Sequence, residues 1–167
     1  MLVPYNSAWP ALFEAERVLL EAVLGQWLSG AVEHIGSTAV PGLAAKPVID
    51  IMAPVRALEE SRAAIAALRE AGYVYDPYKA EVMHWFCKPS PSHRTHHLHL
   101  VPRSSALWFE RLEFRDALRR CQALASEYCA LKADLAANFG RDREGYTQAK
   151  APFVLRVLSQ IKRSNST

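Results

Sequence analysis

Nothing in the 167-residue sequence resembles a membrane span: no apolar run approaches the roughly 20 residues that a spanning helix needs. Residues 1–9 lack the charged start and apolar stretch of a secretion signal. The expectation is a cytoplasmic protein with no membrane partner. Cysteine is scarce, with only Cys87, Cys121 and Cys129 present. Cys121 and Cys129 are placed on one predicted helix, about 12 Å apart along its axis and out of disulfide reach. No Cys-x-x-Cys pair exists, so zinc knuckles and disulfide frameworks are set aside and buried free thiols in a reducing compartment are expected. Internal repeats and low-complexity segments are also missing, and only residues 164–167 read as a frayed tail. A net charge of +3, without interleaved aromatic and basic residues, falls short of a nucleic-acid surface.

What is present fits one globular domain over residues 1–167, with 50% hydrophobic and 22% charged residues. Charge is unevenly placed. Residues 1–80 hold six Lys/Arg against nine Asp/Glu, whereas residues 81–167 hold fourteen against eight. A basic second half beside an acidic first half suits a small anionic ligand held between them.

Periodicity predicts a helix over 8–28, capped by Ser7, with Pro10 in its first turn and Leu12, Val18, Leu19, Val23 and Trp27 inward. A short strand over 31–35 leads to a Gly36-Ser37 turn. Residues 48–55, almost wholly apolar, read as a strand buried on both faces. A helix over 58–71 stops at Gly72. Strands over 73–75, 82–88 and 97–101 follow, the last two joined by a Pro- and Ser-rich loop. The remainder reads as helices over 107–120, 122–139 and 147–163. Gly140 stops the second, Thr147 caps the third, and Pro152 lies in the third's first turns. The fold class is α+β: a small mixed sheet with flanking helices and a C-terminal helical segment.

Chemistry concentrates in residues 34–51, a Gly-Ser turn followed by a buried strand that carries one carboxylate, Asp50. A buried acid is costly unless paired. Asp50 therefore either satisfies backbone or Lys46, or belongs to a site. His97 and His99, at i and i+2 of one strand, share a face, with Leu98 and Leu100 on the buried one. His84, His93 and His96 read as surface or loop residues. Arg111, Arg115 and Arg119 recur at i, i+4 and i+8 and form a basic stripe.

Residues 34–51 closely resemble the GrpB-like family, placed in the nucleotidyltransferase superfamily beside the DNA polymerase β type fold. The resemblance extends to Tyr5, Trp9 and Phe13, to residues 97–101, to Phe114-Arg115-Asp116 and Leu118-Arg119, and to Tyr128, Lys132, Tyr146, Thr147 and Lys150. It implies a nucleotidyltransferase-like fold. In that pattern a Gly-Ser pair cradles phosphate and precedes a strand with carboxylates at i and i+2, which clamp Mg²⁺. Gly36, Ser37 and Asp50 match, but the second acid is replaced by Met52, a poor partner for a hard cation.

By the same resemblance, a nucleotide or other phosphate ligand is expected at Gly36, Ser37, Thr38, Lys46, Arg115, Arg119, Lys132 and Lys150, with His34 in the site region. Asp50, His97 and His99 are expected as catalytic residues and as ligands of a divalent metal, Mg, Mn or Zn. One imidazole as a general base, or a His pair that merely hydrogen-bonds to Asp50 or phosphate, stays open. The implied activity is metal-dependent nucleotidyl transfer. The alternative is a catalytically inactive nucleotide-binding or partner-binding module, and the occurrence of similar domains fused to dephospho-coenzyme A kinase is compatible with it.

Overall fold

A computed structural model describes residues 2–139 and 142–164. The helix stop expected at Gly140 and the tail over 165–167 lie outside these residues. Among the described residues, six helices and five strands follow in the order α1 (Trp9–Leu24), β1 (Glu33–Ile35), a 3-10 turn (Ser37–Ala39), β2 (Ile49–Val55), α2 (Ala64–Glu70), β3 (Val74–Asp76), β4 (His84–Pro89), β5 (Arg94–Pro102), α3 (Ala106–Arg120), α4 (Gln122–Phe139), α5 (Arg143–Ala149) and α6 (Ala151–Ser164). The strands form one mixed sheet, β1-β2-β5-β4-β3. β2 runs parallel to β5 and the other pairs are antiparallel. This is the α+β arrangement expected. None of the described helices is long and apolar enough to cross a membrane.

Alternation along β2 explains how the site is set. Ile49, Ile51, Ala53 and Val55 point to one face, where they pack with Leu98 and Leu100 of β5 against Leu20 and Leu24 of α1 and Leu68 of α2. Asp50 and Met52 take the opposite face, in register with His97 and His99. There Met52 packs with Ile35, Met83, Trp85 and Trp108 beneath α3. A third core joins Val40 and Leu43, just beyond the 3-10 turn, to Leu118, Tyr128, Phe153 and Val157 of the C-terminal helices. That core fixes α3, α4 and α6 against the turn that precedes Asp50.

Several local expectations are corrected. Leu12 and Val18 are exposed, and the inward face of α1 runs through Trp9, Glu16, Leu20 and Leu24. Glu16 belongs there because the Tyr73 hydroxyl and the Lys88 ammonium each donate to its Oε1 at 2.8 Å. A stripe interrupted by an acid is shifted when only apolar positions are counted. Ser7 does not cap α1; the Asn6 carboxamide accepts from the Ala8 N–H instead. Helix 58–71 shortens to α2 because the Ser61 hydroxyl donates to the Ala57 and Leu58 carbonyls, holding a turn there. The span 147–163 is two helices, and Asp142, not Thr147, caps the first by accepting from the Gly145 N–H. His84 is buried in β4 with Nε2 2.9 Å from the Leu58 carbonyl oxygen. Of the thiols only Cys87 is buried; Cys121, at the end of α3, is exposed.

Candidate functional site

Asp50 and His97 face each other across the parallel β2–β5 pair, and the His97 Nδ1–H donates to Asp50 Oδ1 at 2.9 Å. Burial pushes the Asp50 carboxyl up. The hydrogen bond from His97 and the nearby His97, His99 and Arg111 outweigh it and hold the group below the usual carboxylate range. Gly36, at φ 71°, closes over this pair: a Cβ there would lie 2.6 Å from Asp50 Oδ2. Any side chain at position 36 would displace the carboxylate, which gives the turn its requirement for glycine.

Asp50 and His97 line a cavity of about 540 Å³. Ser37, Thr38, Lys46, His99, Lys132 and Lys150 open into the same space. Lys132 is almost fully buried on α4 and donates to Ser37 Oγ at 3.0 Å and to the Ala44 carbonyl at 2.5 Å. Burial, with Lys150 nearby, brings its ammonium down to about 8. Lys150 is also pushed down by burial, although Asp50 opposes this. Lys46 and Lys150 lie over the Tyr146 ring, 4.3 and 4.5 Å from its centroid. Tyr146 is therefore part of the cavity wall.

The three arginines of α3 part company. Arg111 lines the cavity. Arg115 and Arg119 line a separate groove of about 600 Å³ on the other side of the Gly36–Ala39 turn, with Glu33 and His34. Arg115 donates to Glu33 at 2.6 Å, to Asp116 at 2.7 Å and to the His34 carbonyl at 3.0 Å. Arg119 donates to the Ala39 carbonyl at 2.9 Å. His34 stacks on Phe13 and lies 3.0 Å from Thr38 Oγ1. Thr38 gives its own proton to the Val48 carbonyl, so His34 Nε2 carries the hydrogen of that contact. Of the residues expected around the ligand, the structure thus brings together Ser37, Thr38, Lys46, Asp50, His97, His99, Lys132 and Lys150. Gly36 abuts Asp50, whereas Arg115, Arg119 and His34 stand across the turn.

Arg111 had a signal in the sequence. Its i±3 and i±4 neighbours on α3 are Leu107, Trp108, Phe114 and Arg115, so no acid stands one helical turn from it, whereas Arg119 has Asp116 three residues before it. Trp85, on the same face as His97 and with its ring 5.1 Å from the imidazole, also belongs to the wall.

The donor set does not fit a divalent metal. Among the described residues no three His, Cys, Asp or Glu side chains form a group able to hold one. His99 turns its Nδ1 toward the Met83 sulfur at 3.4 Å, and Asp50 Oδ1 is engaged by His97. Burial drives His99 well below the usual imidazole value, and the Nε2 atoms of both His97 and His99 are buried without a hydrogen-bond partner.

Comparison with known proteins places these features in a lineage. The family model described as "GrpB protein" matches residues 1–160. The "Glutamate-rich protein GrpB" of Alkalihalophilus pseudofirmus is 33% identical over 96% of this chain and 95% of its own length. The crystal structure of the conserved protein GrpB from Enterococcus faecalis superposes with a TM-score of 0.87 at 30% identity, covering all of both chains. A partial match, 40% identical over 77 residues, covers 43% of this chain and 18% of a dephospho-CoA kinase from Mycolicibacterium paratuberculosis.

Proposed function

The chain belongs to the GrpB family, and on that premise we propose that the Asp50 cavity binds a nucleotide or another phosphate ester through its phosphate groups. The observation that carries this reading is the meeting of Lys46, Lys132 and Lys150 in one cavity with Ser37. These residues come from distant segments, and gathered in one cavity they give it, beside Asp50, an excess of positive charge that an anion would offset. Ser37 and the turn N–H groups supply neutral donors, and the Tyr146 ring offers a face for a base or other planar group.

Asp50 fixes the imidazole of His97 through Nδ1, and the pair lines the cavity in which the phosphate is proposed to bind. In nucleotidyl transfer, the reaction that the family resemblance implies, the Asp50–His97 pair is the candidate base for the attacking hydroxyl. The partial likeness to a dephospho-CoA kinase supports a role beside nucleotide chemistry. A binding module without turnover is the second reading, favoured by Met52 in place of a second carboxylate.

A thermal-shift and calorimetric screen of nucleoside triphosphates and coenzyme A precursors tests the proposal. A ligand at about 100 times its dissociation constant should add about 2.7 kcal/mol of stability, and Lys150→Ala should remove the shift. Asp50→Asn then separates the two readings. Loss of turnover with binding retained supports the enzyme; binding without turnover in the wild-type protein supports the module.

A further inference from the structure

We infer that the cavity neutralises its anionic ligand with its own cations, Arg111 foremost, and takes the ligand as the free anion without a divalent metal. This rests on the cavity being a phosphate site and goes beyond it by naming the species bound and its anchor.

Three observations carry the inference. Arg111 is a permanently charged guanidinium that lines the cavity, yet it makes no hydrogen bond or ion pair with any described residue; its facing charge is Asp50. Five N–H donors held in a recess without an acceptor are set for an oxyanion, which meets the planar fork with two oxygens. The arginines one and two turns further along α3 are both committed to protein oxygens, so the lack of an acceptor is particular to Arg111 and not a property of the stripe.

The second observation concerns Met52. It stands where a metal clamp needs its second carboxylate, and it is fully buried among Ile35, Met83, Trp85 and Trp108. The missing acid is therefore not supplied from a neighbouring strand at that point; the space is filled by apolar side chains. Asp50, the remaining acid on β2, has one oxygen on His97 and the other against Gly36.

The third is the balance of charge. Six Lys and Arg side chains line the cavity against three acids, Asp50, Asp76 and Glu144. Of these acids, Glu144 is engaged by Gln148 at 3.0 Å and approached by the Tyr78 hydroxyl at 3.4 Å. Lys150 has only the Tyr146 face as its partner among the described residues, and Lys132 gives its protons to neutral oxygens. A divalent cation entering this surface meets net repulsion, whereas a polyphosphate meets attraction. Protein cations thus supply the charge that metal ions supply in a two-carboxylate site.

Calorimetric titration of the full chain with inorganic tripolyphosphate, in EDTA and again with excess Mg²⁺, tests this. Tripolyphosphate should bind in EDTA, and Mg²⁺ should weaken binding severalfold by masking its charge. Arg111→Gln should weaken it at least tenfold, while Arg120→Gln, an equal charge loss on the exposed side of α3, should change it less than twofold. Circular dichroism and melting temperature confirm that Arg111→Gln is folded; Lys150→Gln, expected to weaken binding likewise, provides the same reading from another segment. Binding that requires Mg²⁺, or equal losses in Arg111→Gln and Arg120→Gln, overturns the inference and leaves the phosphate pocket standing. No binding of tripolyphosphate or nucleoside triphosphate, with or without Mg²⁺, overturns both.

Discussion

The two sides of the Gly36–Ala39 turn are built from similar residues and do different things. On one side, Arg115 and Arg119 meet Glu33, Asp116 and backbone carbonyls, and both guanidinium groups have acceptors. On the other, Arg111 and Lys150 have charge and donors but no acceptor among the described residues. Both sides use cations from the C-terminal half against the β1–β2 region, and sequence spacing treats the three arginines of α3 alike. What distinguishes structure from site is the state of satisfaction. A charged group whose partners are all in place holds the fold, and one left short of partners is available to a ligand.

That contrast has a stability consequence. Arg115 is largely buried, and its removal leaves Glu33 and the His34 carbonyl without a donor. Arg115→Met should lower the unfolding free energy by about 2 kcal/mol, the scale of charged hydrogen bonds lost to half-buried carboxylates and a buried carbonyl. Arg111→Met should lower it by nothing measurable or raise it, because the same substitution removes an uncompensated charge. Urea denaturation of the two variants decides the matter. Equal losses would erase the distinction between the two sides.

The groove side also carries an acid sensitivity, to which buried His99 adds from the cavity side. Burial lowers the His34 imidazole to about 4, with Arg119 and Arg115 adding to the effect and Asp50 opposing it. The unfolded chain takes up this proton near 6.5 and the folded chain only near 4, so stability is complete above pH 6.5 and falls between 6.5 and 4. A shift of this size corresponds to about 3 kcal/mol. Urea midpoints measured across that interval should decline, and His34→Gln should make the decline shallower, leaving the part that His99 contributes. An unchanged slope in the variant would assign the acid sensitivity elsewhere.

Much of the fold was legible in the sequence because its elements follow simple periods. The alternation of β2 and the His97–His99 pair with a leucine between report burial directly. Where expectation and structure part, a polar group has been recruited inward. Glu16 displaced the apparent stripe of α1, Ser61 shortened α2, and His84 joined a strand interior. The site was legible in its parts and not in its register. That Asp50 faces His97 depends on a parallel pairing of residues 47 positions apart, which no local pattern encodes. The partition of α3 was hidden for the same reason, since Arg115 is paired by Glu33, 82 residues before it.

Lys132 sharpens the comparison from within the cavity. It is as buried as the groove residues and makes two hydrogen bonds, yet both acceptors are neutral oxygens, so its charge is solvated without being cancelled. Burial, reinforced by Lys150, therefore lowers it to about 8, where the ligand-free protein sheds a proton readily. A phosphate among Arg111, Lys150 and Lys132 stabilises the ammonium and raises that value, so binding above pH 8 must draw a proton from solution. Affinity for tripolyphosphate should fall as pH rises through about 8, by up to tenfold per pH unit beyond it, about 1.4 kcal/mol. The ligand's own titration is not the cause, since loss of its protons adds negative charge as pH rises and opposes the fall. Calorimetry at about pH 8.5 in two buffers of different ionisation enthalpy reads the proton directly. Uptake approaching one proton per ligand places Lys132 with the unsatisfied cations of the cavity; no uptake places it with the satisfied residues across the turn, as a strut that holds Ser37 and the Ala44 carbonyl in position.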